Sequence, residues 1–297
     1  MIVLPIALLV SYFCDKQLNM KLFKTSAGNL RNIWWVGIFF LVLAAITFPV
    51  ILLSQQYHWE ITIAQQALIV VAASWISQLL RKRPLTEITG RFNFIWAKDL
   101  LRGILIGAIL MFLPALLLYL GGWVNFEIQP INTKALLIAT AVFVSVAVAE
   151  EFLFRGFIFQ RLIDSMGVWP AQLIIAAYFL LIHINNPGMH GTIKLLASVN
   201  IFIASLLFGF AFIKTKSLAM PLGIHFMANW VQGTLLGFGV SGNDEAGILK
   251  PHFVEAPAWL TGGTFGLEAS LPGLVSLAII AAVFFFRYPS KQLNSIN

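Results

Sequence analysis

The sequence predicts an all-α fold: a polytopic transmembrane helical bundle of about eight spans enclosing an intramembrane polar cavity. Three observations predict it. Of 297 residues, 59% are hydrophobic and only 10% charged, whereas a soluble domain is about a quarter charged. Mean hydropathy is +0.87, so the solvent is lipid. Apolar runs long enough to span recur along the chain, and the cations cluster in alternate loops between them. The net charge of +7 is no nucleic-acid signal, because the cations do not form one face. Cys14 is the only cysteine, which excludes an intrachain disulfide, a CxxC site and a thiolate zinc cluster.

The elements follow in order. Runs long enough to span fall at about 33–54, 61–80, 103–123, 135–158, 169–184, 195–213, 217–239 and 270–287. The run at 169–184 is short, so a tilted or locally thinned fit is expected. Lys16, Lys21, Lys24 and Arg31 precede the first span, and Arg81, Lys82, Arg83, Arg91, Lys98 and Arg102 lie between the second and third. Arg161, then Lys214 and Lys216, follow the fourth and sixth spans. The loops at 55–60 and 124–134 are nearly free of cations, and 240–269 is acidic on balance. The positive-inside rule then gives a multi-pass protein of the cell membrane with both termini cytoplasmic. The organisation expected is an N-terminal cytoplasmic or interfacial segment over 1–32 and a transmembrane domain over 33–290. Within that domain lie a motif-bearing core at 135–240 and an outer loop at 240–269. The apolar stretch 2–14 is too short to span and lacks a basic leader and a cleavage site. It reads as an interfacial helix, or Met20 is the start. The Gly-rich outer loop, with Pro251, Pro257 and Trp259, is expected to fold back onto the outer surface and is assigned no chemistry.

Charged side chains within spans are costly and by default mark a functional site. The first group is Glu150-Glu151-Phe152-Leu153-Phe154-Arg155. Glu151 and Arg155 are four residues apart and can pair on one helix face. Glu150 is turned about 100° away, free to face a polar cavity as a general base. A structural ion cluster is the alternative, the stronger reading for Glu151 and Arg155. Phe179 and His183 share a face in the next span, and His225 and Asn229 share one in a third. Either pair alone reads equally well as interhelical hydrogen bonding. Counted from the cytoplasmic ends, Glu150, His183, His225 and Asn229 lie at roughly 17, 21, 12 and 18 Å, a single layer.

A carboxylate, two histidines and an amide admit several chemistries. One is hydrolysis, with Glu150 and His183 activating water while His225 and Asn229 stabilise an oxyanion. Another is a zinc site built from His and Glu, although no HExxH occurs. A third is proton-coupled transport, for which repeated halves are missing. Gly239-Val240-Ser241-Gly242 matches the string around intramembrane serine nucleophiles but lies at the end of a span, and it reads as a turn.

Taken in order, Glu150-Glu151-x-x-x-Arg155, Phe179-x-x-x-His183 and His225-x-x-x-Asn229 resemble the three motifs of the CPBP family. This family comprises the type II CAAX prenyl proteases and the ABI-like bacteriocin-processing enzymes. The stretch from Trp259 to Glu268 is also similar to bacterial members. The resemblance implies a non-metal, cofactor-free intramembrane glutamic endopeptidase in which Glu150 and His183 activate water. His225 and Asn229 would form its oxyanion hole, with Glu151, Arg155 and Phe179 in support. A peptide or membrane-associated protein substrate and the bilayer would be its partners, and nucleic acid would not. The cut would fall at or within the cytoplasmic half of the membrane. A non-catalytic immunity or partner-binding protein, using the same polar cluster for packing, is the alternative.

Overall fold

The computed structural model describes residues 23–25 and 28–287. The stretch 2–14, Met20 and the chain beyond Arg287 lie outside them. Helix α1 (Asn32–Gln56) is apolar on all sides and turns Leu41, Phe48 and Leu52 outward. Helix α2 (Ile63–Leu80) starts at a capping box. There Thr62 Oγ1 accepts from the Gln65 N–H at 3.3 Å, and Gln65 Oε1 accepts from the Thr62 N–H at 2.9 Å. A single turn, α3 (Thr86–Thr89), leads to α4 (Phe94–Leu120), capped by Asn93. This span starts before residue 103, the start read from hydropathy. The reason is local: the buried Asp99 is paired with Arg102 at 2.8 Å, so the first turns carry their charge as an ion pair.

Helix α5 (Thr133–Glu151) opens at the Asn132 cap and runs into a wide, π-type turn over Phe152–Ile158. The backbone kinks at Gly156 (ψ −108°) and resumes as α6 (Phe159–Met166). Helices α7 (Val168–His183) and α8 (Gly191–Thr215) follow. Then α9 (Ala219–Asn229) also ends in a wide turn, Trp230–Leu235. The loop beyond carries a short helix, α10 (Ala258–Thr261), and a single turn at Leu267–Ala269. Helix α11 (Leu271–Phe286) closes the described chain.

Each of the eight apolar runs thus has a helical counterpart. Among the described residues, five helices are long and apolar enough to cross a membrane: α1, α2, α4, the bent α5–α6 run and α8. Of the counterparts to the other three runs, α7 and α11 have 16 residues each, about 24 Å of rise, and α9 has 11 before its wide turn. Leu68, Leu105, Leu137, Leu181, Leu195 and Ile279 point outward, as lipid-facing positions do and as a soluble surface does not.

The 240–269 loop pairs with the 124–134 loop through strands that hydropathy does not reveal. Strand β1 (Val124–Ile128) pairs antiparallel with β2 (Leu249–Phe253), Asn125 opposite His252. His252 Nε2 lies 2.9 Å from Glu127 Oε2.

Helix α9 is held at the centre by α4 through glycines. A Cβ at Gly103 would lie 2.3 Å from Met220 O, one at Gly107 2.4 Å from Ile224 O, and one at Gly223 2.4 Å from Leu100 O. Only hydrogen at these positions lets the two backbones come so close. This junction fixes the residue after Ile224, which is His225.

Candidate active site

Four of the seven motif residues sit where regular helix stops. Glu150 and Glu151 are the last two residues of α5, ahead of its wide turn. His183 is the last residue of α7, and Asn229 the last of α9. Single-turn π-type widenings inside helices recur at functional sites, because the extra residue re-aims the neighbouring side chains.

Glu150 stands between two histidines. Its Oε1 lies 3.9 Å from His183 Nε2, and its Oε2 lies 3.7 Å from His225 Nε2. His183 Nδ1 donates to the Phe179 carbonyl at 2.7 Å. A carbonyl can only accept, so that nitrogen carries a proton and Nε2 is the end that faces Glu150. The Phe179 and His183 rings lie 4.6 Å apart, which fixes the imidazole plane.

Glu151 and Arg155 pair as the four-residue spacing predicts, Nη1 to Oε1 at 3.3 Å, and both are fully buried. Arg155 Nη2 also donates to Ser205 O at 3.0 Å and Ser205 Oγ at 2.7 Å. Its guanidinium lies 4.8 Å from the centre of the Phe179 ring and 5.0 Å from that of Phe208. Phe179 is therefore a wall of the arginine's cage. A further bond is not expressed in any spacing: His225 Nδ1 donates to Glu151 Oε1 at 2.8 Å. Phe208 stacks on the His225 ring at 5.1 Å and 6°. The second glutamate of the motif thus holds the histidine of the third.

Glu150, His183, His225 and Asn229 line one cavity of about 570 Å³. The cavity brings together the four residues that sequence depth put in one layer. Loop residues complete the lining: Asn186 after α7, and Val240, Ser241, Asn243, Glu245 and Glu268 from the outer loop. No lysine or arginine lines it among the described residues. The cavity is bordered by residues of the cation-poor loops and by none of the basic ones. Two features bring these loops to it: α7 ends at His183, and the 240–269 loop contributes lining residues. The loop that was assigned no chemistry therefore borders the site. Ser241 does sit in a turn, closed by reciprocal backbone bonds between Val240 and Asn243. The signal that could have found Glu268 is a lone acid set among Gly, Phe and Leu in 262–269. A larger cavity of about 970 Å³ lies in the outer loop region and contains none of the motif residues. Among the described residues, no group of three or more His, Cys, Asp or Glu is disposed to hold a metal ion.

Bundle and cavity together define a class: an integral membrane protein with a carboxylate–histidine layer enclosed between its helices. Residues 132–231 match the family described as Rce1-like, the type II CAAX prenyl endopeptidases. The match runs from the cap of α5 into the wide turn after α9, so it contains all seven motif residues. It supports the CPBP/CAAX protease assignment read from the three motifs, and with it a membrane-embedded protease acting on a peptide or protein. No curated protein matches the chain.

Proposed function

We propose that this protein is an intramembrane glutamic endopeptidase in which Glu150 and His183 activate water, while His225 and Asn229 stabilise the oxyanion. One observation carries the reading: the Glu150 carboxylate lies between the Nε2 atoms of His183 and His225, at 3.9 and 3.7 Å, inside a shared cavity. A gap of that size suits a water bonded to both Glu150 and His183. Glu150 takes a proton from that water as its oxygen attacks the peptide carbonyl carbon. Negative charge then grows on the carbonyl oxygen. The Asn229 amide and the His225 Nε2–H oppose it. His225 acts here as an imidazolium, oriented and charge-balanced by Glu151 at its Nδ1. When the intermediate collapses, the C–N bond breaks and the leaving nitrogen takes the proton held by Glu150. One water is consumed. The lining from 186 and 240–268 supports a scissile bond on the side of the cation-poor loops.

Glu150→Gln and His183→Ala should abolish processing while the protein still inserts and accumulates. The direct measurement compares membrane and secreted proteomes of cells carrying wild type and Glu150→Gln. Cleavage products present only with wild type are expected. An empty difference, with full biological effect from both variants, would overturn the reading in favour of the non-catalytic alternative.

A further inference from the structure

Glu268 belongs to no spanning helix. It sits on the single turn ahead of α11, yet lines the same cavity as Glu150, His183, His225 and Asn229. Three donors converge on one of its oxygens, Oε1. They are the Ser241 N–H, Ser241 Oγ at 3.1 Å and Gln232 Nε2 at 3.4 Å. Gln232 is buried in the wide turn that continues α9, three residues after Asn229. On the other side, the Ser241 carbonyl accepts from Asn186 Nδ2 at 3.1 Å. The Asn186 N–H donates to the His183 carbonyl at 3.0 Å. A continuous hydrogen-bonded path therefore joins the end of the helix bearing His183 to the end of the helix bearing His225 and Asn229. Its middle link is the Glu268 carboxylate. The approach is close enough to require glycine: at Gly266 (φ +111°) a Cβ would lie 2.0 Å from Gly239 O and 2.8 Å from Gln232 Nε2.

We propose that Glu268 is a positioning residue, a crossbrace that sets the spacing between the water-activating pair and the oxyanion donors. The inference rests on the peptidase reading above. Helix ends are where backbone groups lack partners within the helix and depend on outside contacts for their position. His183 is the last residue of α7, and Asn229 is the last residue of α9 before the wide turn that carries Gln232, so a link between the two bears on their mutual placement. What the link requires of residue 268 is an acceptor oxygen. A carboxamide supplies one and a methyl group does not.

The test uses the full chain in lipid nanodiscs. A library of internally quenched peptides is screened on wild type, and the best-cleaved member becomes the probe. Glu268→Ala should lower kcat by about 10- to 100-fold, the scale of an ångström-size misplacement, and leave KM nearly unchanged. Glu268→Gln should restore most of the loss. If Glu268→Ala does not accumulate, Asn186→Ala cuts the same path at its other end and should lower kcat alone. Unchanged kcat in both severed variants overturns the proposal. So does a Gln variant as inactive as Ala, which would make the charge the active property, and so does a change confined to KM, which would mean substrate contact. Glu150→Gln runs in parallel: if it cleaves the probe like wild type, the peptidase reading itself fails, and the crossbrace falls with it.

Discussion

Arg155 shows what a single side chain settles here. Among the described residues it is the largest fully buried side chain, bonded to Glu151 and Ser205 and flanked by Phe179 and Phe208. Arg155→Met leaves the Glu151 carboxylate buried with one donor fewer, and breaking a buried pair costs about 3–5 kcal/mol. Unfolding of the detergent-solubilised variant should report a loss of that order, and Glu151→Gln with Arg155→Met should recover part of it. Arg155→Lys should rescue poorly, because an ammonium cannot span Glu151 and Ser205 as a planar fork does. The Glu151–Arg155 pair is legible in the sequence because helix geometry maps a spacing of four onto one face. The His225–Glu151 bond is not, since it joins residues 74 apart. Glu268 is hidden for a related reason: an acid in an irregular loop has no periodic neighbour to reveal its partner.

At the scale of elements, the α4–α9 junction is the most demanding contact. Gly107→Val places methyl groups against the Ile224 carbonyl, where even a Cβ would come within 2.4 Å. Overpacking of this kind costs about 1–3 kcal/mol, and α9 must shift with His225 on it. We expect activity on the quenched-peptide probe to fall by about tenfold or more while the protein still inserts. Normal activity would show that the junction does not set the site. The eight runs are legible because lipid leaves a long apolar signal, and Gly103-x-x-x-Gly107 is a readable close-packing pattern. The wide turns after Glu151 and Asn229 are not legible, since their residues suit ordinary helix equally well. The paired strands also escape: five residues with Pro251 inside read as loop.

Across the whole molecule, charge and chemistry occupy opposite ends. Glu87 gathers the basic end, 2.9 Å from Arg81, 3.9 Å from Arg83 and 3.1 Å from Arg161. Partial burial pushes its carboxyl up, but Arg81 and Arg161 outweigh that and hold it below the ordinary glutamate value. Its contribution to stability is therefore complete above that ordinary value and is lost as pH falls through the lowered one. Wild type should lose thermal stability below about pH 4, and Glu87→Gln should show a shallower decline when both are followed by thermal unfolding. The charge asymmetry makes a topological prediction as well. In a Cys14→Ser background, a membrane-impermeant maleimide added to intact cells should label Lys250→Cys and spare Lys82→Cys; the reverse pattern would invert the orientation. The enclosure of Arg155 has a further consequence, for biogenesis. An arginine deep in a span opposes membrane insertion by about 2.5–3.5 kcal/mol, and the α5–α6 run reaches the translocon with only its own Glu150 and Glu151 near Arg155 to offset it. The hydroxyl and carbonyl of Ser205 and the ring of Phe208 emerge from the ribosome some fifty residues later, on α8. A nascent chain halted before residue 190 should therefore hold α5 loosely in the bilayer, and synthesis of α8 is the step that commits the motif helix to its place.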